Sequence, residues 1–252
     1  MRSTWRAGAV NDPQGTLLSV VLTNTAVAAL VVCLFWLGVV VARALGQKAS
    51  FSLAPLGFRR PDGGLLAGAV LGVAVGVGAI VVSIIVNPIS AFVLDRLGYS
   101  TESTVQQPFM RGLVGWVEEN PATAIPAIIL VVVVIGPAVE ELVFRGAVFN
   151  GFDRLGSLLA SRTVGAAREG TSGGTSGRTV FVMSALLSSA FFALLHLEPV
   201  LLPAILILAL ALCTLFRRTG SLLPPLVAHA TFNSFATSLI ILNGLGVFQV
   251  PV

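Results

Sequence analysis

The sequence predicts an all-α, polytopic transmembrane bundle of about six to eight helices, and three observations carry that prediction. Of 252 residues, 56% are hydrophobic and only 10% are charged. The apolar residues fall in runs near the roughly 20 residues that a helix needs to cross a bilayer. The basic residues, which give a net charge of +4, sit mainly in short connections between those runs, where they report topology and not a nucleic-acid partner.

The elements follow in order. Residues 1–16 read as an N-terminal tail carrying Arg2, Arg6, Asp12 and Pro13. The first apolar run is too long for a signal peptide and no convincing small-residue cleavage site follows it, so the tail is expected to stay attached. Residues 17–250 read as one transmembrane domain with runs at roughly 17–42, 65–94, 122–152, 178–197, 199–216 and 222–247. The second run sets Gly68, Gly72 and Gly76 on one face, which permits close helix packing and leaves association with a second copy open. Cys33 and Cys213 lie inside apolar runs and read as small buried hydrophobes.

The connections test the six-helix order. The first, third and fifth hold Arg43, Lys48, Arg59, Arg60, Arg154, Arg162, Arg168, Arg178, Arg217 and Arg218, ten in all, against Arg2, Arg6, Arg96 and Arg111 on the other side. Cytoplasmic loops are enriched in Lys and Arg, so both termini are expected outside. The second connection is acidic (Asp95, Glu102, Glu118, Glu119) and contains an amphipathic stretch from Val105 with Trp116, suited to an interface. In the third connection, about 165–179, Gly-Thr-Ser repeats read as a flexible loop. Fourteen arginines against one lysine suggest high-GC coding, hence a bacterial cell membrane.

Ionisable residues inside the runs point to chemistry. The third run contains Glu140-Glu141-Leu-Val-Phe-Arg145, and each charge at a helix centre costs roughly 2.5 to 3.5 kcal/mol on insertion scales. Glu141 and Arg145 are four apart and share a helix face, so they pair; Glu140 points about 100° away, toward another helix or a cavity. The chain's two histidines, His196 and His229, also fall in apolar runs, with Phe192 and Asn233 four residues away on the same faces. Alone, each residue has a packing explanation: a hydrogen-bonding acid, a capped helix end, an internal ion pair. Together, two acids, two histidines and an asparagine on three apolar helices carry a desolvation cost that packing does not repay, which predicts one shared site in a core at about 120–240.

Glu140-Glu141-x-x-x-Arg145, Phe192-x-x-x-His196 and His229-x-x-x-Asn233, the last preceded by Thr219-Gly220-Ser221-Leu222, resemble the motifs of the CPBP intramembrane proteases, which include the type II CAAX prenyl endopeptidases and Abi-type proteins. The resemblance implies an intramembrane catalytic cavity and hydrolysis of peptide bonds in membrane-embedded or lipidated substrates. It implies that Glu140 activates water with His196 assisting, that His229 and Asn233 stabilise the oxyanion, and that Glu141, Arg145 and Phe192 support them. First principles agree, since a desolvated carboxylate is a stronger base and preorganised donors matter most where water is excluded.

The residues leave alternatives. Glu140, His196 and His229 also satisfy a zinc site with an open water position, beside the preferred reading that no cofactor is required. A proton or ion relay would use similar residues but would need to continue across the membrane. A non-catalytic scaffold or immunity protein would keep the motifs without turnover. Depth poses one problem: a straight helix over 178–197 carries His196 toward the outer face and away from Glu140. Glu198-Pro199 is expected to break the helix below that surface.

Overall fold

The computed structural model describes residues 12–101, 106–164 and 173–247, and six of its helices are long and apolar enough to cross a membrane. Helix α1 (Pro13–Ala44) starts earlier than the composition suggested. Asp12 accepts a hydrogen bond from the Gly15 N–H at 2.8 Å, and Pro13 supplies a helical φ at the first position, so 13–16 form the first turn and not a tail. Residues 45–64 carry the chain to α2 (Leu65–Arg96) through a 3₁₀ turn at Ala54–Leu56.

The glycine stripe of α2 packs on the last helix, α9 (Leu223–Gly244). A Cβ on Gly72 would lie 2.6 Å from the Pro224 carbonyl oxygen, and one on Gly76 2.6 Å from that of Ala228. Only glycine lets the two backbones meet there. The stripe is therefore occupied within the chain and is not a free surface for a second copy.

Helix α3 (Gln106–Glu119) is the amphipathic segment of the second connection. Its apolar face is not laid on an interface: Leu113, Val114, Trp116 and Val117 are buried in a core with Leu17, Ala124, Ile128 and Ile240. The apolar face is thus covered by protein from α1, α9 and the helix that follows. That helix is a long rod made of α4 (Pro121–Ile128), a π-helical stretch Ile129–Ile135, α5 (Gly136–Glu141), a second π stretch Leu142–Phe149 and α6 (Asn150–Val164). Pro126 and Pro137 lie in the rod without an N–H to donate, and prolines widen helices where a bond is missing. Gly136 bonds the carbonyl of Val131, five residues back. In that register the carbonyl of Val132 falls to Pro137, which has nothing to give.

Helix α7 begins at Gly173, so 173–179, expected as loop, are helical, while 165–172 lie outside the described residues. The apolar run that follows propagates the helix backward through residues of poor intrinsic propensity. Helix α7 ends at Leu194, and α8 runs Leu202–Thr219. The helix does stop before Glu198-Pro199. Leu197, with φ +54°, turns the chain in the left-handed region, a conformation that L-residues with bulky side chains rarely adopt. Helix α8 closes with Gly220 at φ +60°, and Ser221 Oγ donates to the Arg59 carbonyl at 2.6 Å, tying the Thr219–Leu222 turn to the first connection.

Candidate active site

The rod, the C-terminal end of α7 and the first half of α9 bring the expected residues to one place. Glu141 and Arg145 pair as their spacing requires, Arg145 Nη1 donating to Glu141 Oε1 at 2.8 Å with both side chains about 1% exposed. Arg145 Nη2 also donates to the carbonyl of Ala209 on α8 at 3.3 Å. A buried ion pair costs least when its remaining hydrogen bonds are met; α8 supplies one, while Arg145 Nε and Glu141 Oε2 are buried without a hydrogen-bond partner.

Glu141 Oε1 has a second partner. His229 Nδ1 lies 2.8 Å from it, so that nitrogen carries the proton and Nε2 faces the other way. Nε2 is 3.7 Å from Glu140 Oε2. The two adjacent glutamates therefore bracket one imidazole. Glu141 is sealed between Arg145 and His229, whereas the Glu140 side chain is 36% exposed to the cavity.

His196 follows α7 in the turn after Leu194, and its Nδ1 donates to the Phe192 carbonyl at 2.8 Å, which leaves its Nε2 free of that bond. Phe192 is buried at the centre of the group. Its ring lies 4.7 Å from that of His196, 5.8 Å and edge-on from that of His229, and 4.7 Å beneath the Arg145 guanidinium. Phe192 thus sets the planes of both histidines and of the arginine. Asn233, one turn beyond His229, donates from Nδ2 to the Val132 carbonyl at 3.0 Å. This is the carbonyl that Pro137 leaves without a backbone donor.

Glu140, Phe192, His196, His229 and Asn233 line a single cavity of about 500 Å³ that extends away from the arginine-rich connections, toward the first turns of α1 and toward α3. Glu141 and Arg145 stand behind its wall. Asn24, Ser83 and Asn87, on α1 and α2, also line it. The sequence reading missed these three, although polar residues inside apolar runs were the available signal. Among the described residues, no group of three or more His, Cys, Asp or Glu side chains is arranged to hold a metal ion, so Glu140, His196 and His229 do not form a ready ligand set.

The fold and the site define a multi-pass membrane protein with a buried acid–imidazole centre facing an internal cavity. Residues 122–235 match the family model of type II CAAX prenyl endopeptidase Rce1-like proteins, so the segment that carries the site is similar to that family. The curated proteins and the solved structures yield no match.

Proposed function

We propose that the protein is an intramembrane endopeptidase that hydrolyses peptide bonds of membrane-associated substrates with a water activated by Glu140. The observation that carries this reading is the bracketed imidazole: Glu140 open to the cavity, 3.7 Å from His229 Nε2, and Glu141 fixing His229 Nδ1 at 2.8 Å. Glu140 takes a proton from water as the oxygen attacks the scissile carbonyl, and returns that proton to the leaving amine. Glu140 Oε2 is buried and accepts no hydrogen bond, which leaves an acceptor for that water.

Glu141 and Arg145 act through His229. They hold its Nδ1–H and so direct Nε2 into the cavity; in the doubly protonated form Nε2–H donates to the developing oxyanion beside the Asn233 amide. Asn233 is held in place by Val132 while one amide N–H remains for substrate. His196, oriented by the Phe192 carbonyl, presents Nε2 to the water or to the leaving group. The arginine-rich end is assigned to the cytoplasm of a bacterial cell membrane, on the ten-to-four bias of Lys and Arg between alternate connections. A transmembrane relay is less well supported, because behind Arg145 and Glu141 the wall continues as Leu142, Phe149, Cys213 and Phe216, all apolar and buried.

The test is cleavage of a quenched prenylated peptide and a panel of lipid-soluble peptides by the purified protein in detergent, with and without chelator. Cleavage by wild type that disappears in Glu140→Gln and His229→Ala, and that survives the chelator, is the expected result. Loss on chelation would assign the water to a metal ion, and no turnover by any folded form would favour the scaffold reading.

A further inference from the structure

A second cavity lies at the opposite end of the bundle from the opening of the first. It encloses about 400 Å³ between the first connection, α6 and the end of α8, and is lined by Arg59, Arg154 and Arg217 with Asp153 and Asn150. Its apolar side is Phe149 and Phe216, packed edge to face at 6.1 Å. Each guanidinium is anchored by the protein. Arg59 donates to the Thr219 carbonyl at 3.3 Å and Arg154 to the Pro55 carbonyl at 3.2 Å, while Arg217 pairs with Asp153 Oδ2. Arg59 also lies 3.9 Å from Asp62, so three cations face two carboxylates and one net positive charge remains where the spans end. The second oxygen of Asp153, Oδ1, is out of solvent and accepts no hydrogen bond.

A third depression adjoins this pocket and shares Pro55, Asn150 and Arg154 with it. It encloses about 340 Å³, and its remaining walls are apolar: Val31, Leu34 and Phe35 on α1, Leu56, and the Gly146–Ala147 segment of the rod. Leu34 is 57% exposed on a helix face that meets lipid. An anion-binding pocket that runs directly into an apolar trough on the lipid-facing side fits an amphiphile, and basic pockets between transmembrane helices take phospholipid headgroups.

We propose that these two cavities form one site for an anionic phospholipid of the phosphatidylglycerol type. The phosphate sits among Arg59, Arg154 and Arg217, and an acyl chain lies in the trough against Leu34. The site is separate from the cavity of Glu140 and does not depend on any activity there. It adds a further link between the first connection, α6 and α8, beside the buried core that Leu56 shares with Phe149, Phe216 and Leu222.

The full-length protein in neutral detergent is titrated with phosphatidylglycerol, phosphatidylcholine and glycerol 3-phosphate, and followed by native mass spectrometry and thermal unfolding. Phosphatidylglycerol is expected to be retained and to raise the midpoint, while phosphatidylcholine and glycerol 3-phosphate do neither. Arg59→Gln with Arg154→Gln is expected to weaken retention at least tenfold. Arg43→Gln, an equal loss of charge per residue at the same end but outside the pocket, leaves it unchanged. Leu34→Trp, which fills the trough and leaves every charge in place, is expected to reduce retention as well, and it decides the matter if the double variant does not fold. Equal retention of phosphatidylcholine overturns the proposal. So does protection by glycerol 3-phosphate alone, which would mean a free-phosphate site, or a loss in Arg43→Gln as large as in the pocket variant.

Discussion

Helices α1 and α8 both cross the membrane, yet they differ in almost everything that burial controls. In its most apolar window α1 has mean hydropathy 2.6 and is 6% buried, whereas α8 has mean hydropathy 1.7 and is 50% buried. The more hydrophobic helix is the more peripheral one. In water that would be paradoxical; in lipid it is expected, because apolar side chains are satisfied on either side of a helix and only packing distinguishes them. The lower mean of α8 comes chiefly from Arg217 and Arg218 in its last turn, while its buried positions include Ile205, Leu208, Leu212 and Phe216, as apolar as those of α1. Hydropathy thus places a helix in the bilayer, and contacts with other helices place it in the bundle.

The contrast can be sharpened first at the site. Glu140→Gln keeps the shape of a half-exposed side chain and removes its charge. Cleavage should fall by about 10² to 10⁴-fold, the range for a positioned general acid–base, with no change in the thermal midpoint. Behind the cavity wall the order of effects reverses. Arg145→Ala leaves Glu141 buried without its cation and should cost about 3 to 5 kcal/mol of stability, read from thermal unfolding in detergent.

The helices themselves provide the next comparison. Leu212, fully buried on α8, should cost about 2 to 5 kcal/mol on truncation to alanine, since a cavity is left in a packed interior. Gly76→Val on α2 drives a side chain into the Ala228 carbonyl and Thr231. Overpacking of this kind costs about 1 to 3 kcal/mol, and it should also lower activity by displacing His229 on α9. Leu30→Ala on α1, 57% exposed, should stay within about 0.5 kcal/mol of wild type by the same assay. A large loss there would mean that α1 is packed more intimately than its exposure indicates.

Much of this was legible from residue spacing. The Glu141–Arg145 pair follows from a four-residue interval, the glycine stripe from its period, and a break ahead of Glu198-Pro199 from that dipeptide, although the helix ends at Leu194, two residues before His196. What stayed hidden depends on contacts between distant segments. Nothing local says that His229 bonds Glu141 through Nδ1 and so presents Nε2 to Glu140; that geometry exists only once α9 lies against the rod. Asn24, Ser83 and Asn87 were passed over because only ionisable residues and their neighbours four away were weighed, although Ser83 and Asn87 stand four apart on one face of α2. The start of α1 was placed late for a different reason: Asp12-Pro13 is a capping signal, but composition alone assigned it to a polar tail.

The bond from Asn233 to Val132 has a consequence for how this protein can change. Proline at 137 withholds a hydrogen from the rod, and an amide on α9 makes good the deficit. A defect in one helix is thereby the tether of a functional side chain in another. Replacing Pro137 by alanine would offer that carbonyl a backbone donor beside the Asn233 amide, since a carbonyl accepts two hydrogen bonds; replacing Asn233 by leucine while Pro137 remains would leave it to the cavity alone. Position 233 is therefore more tightly constrained with proline at 137 than without it.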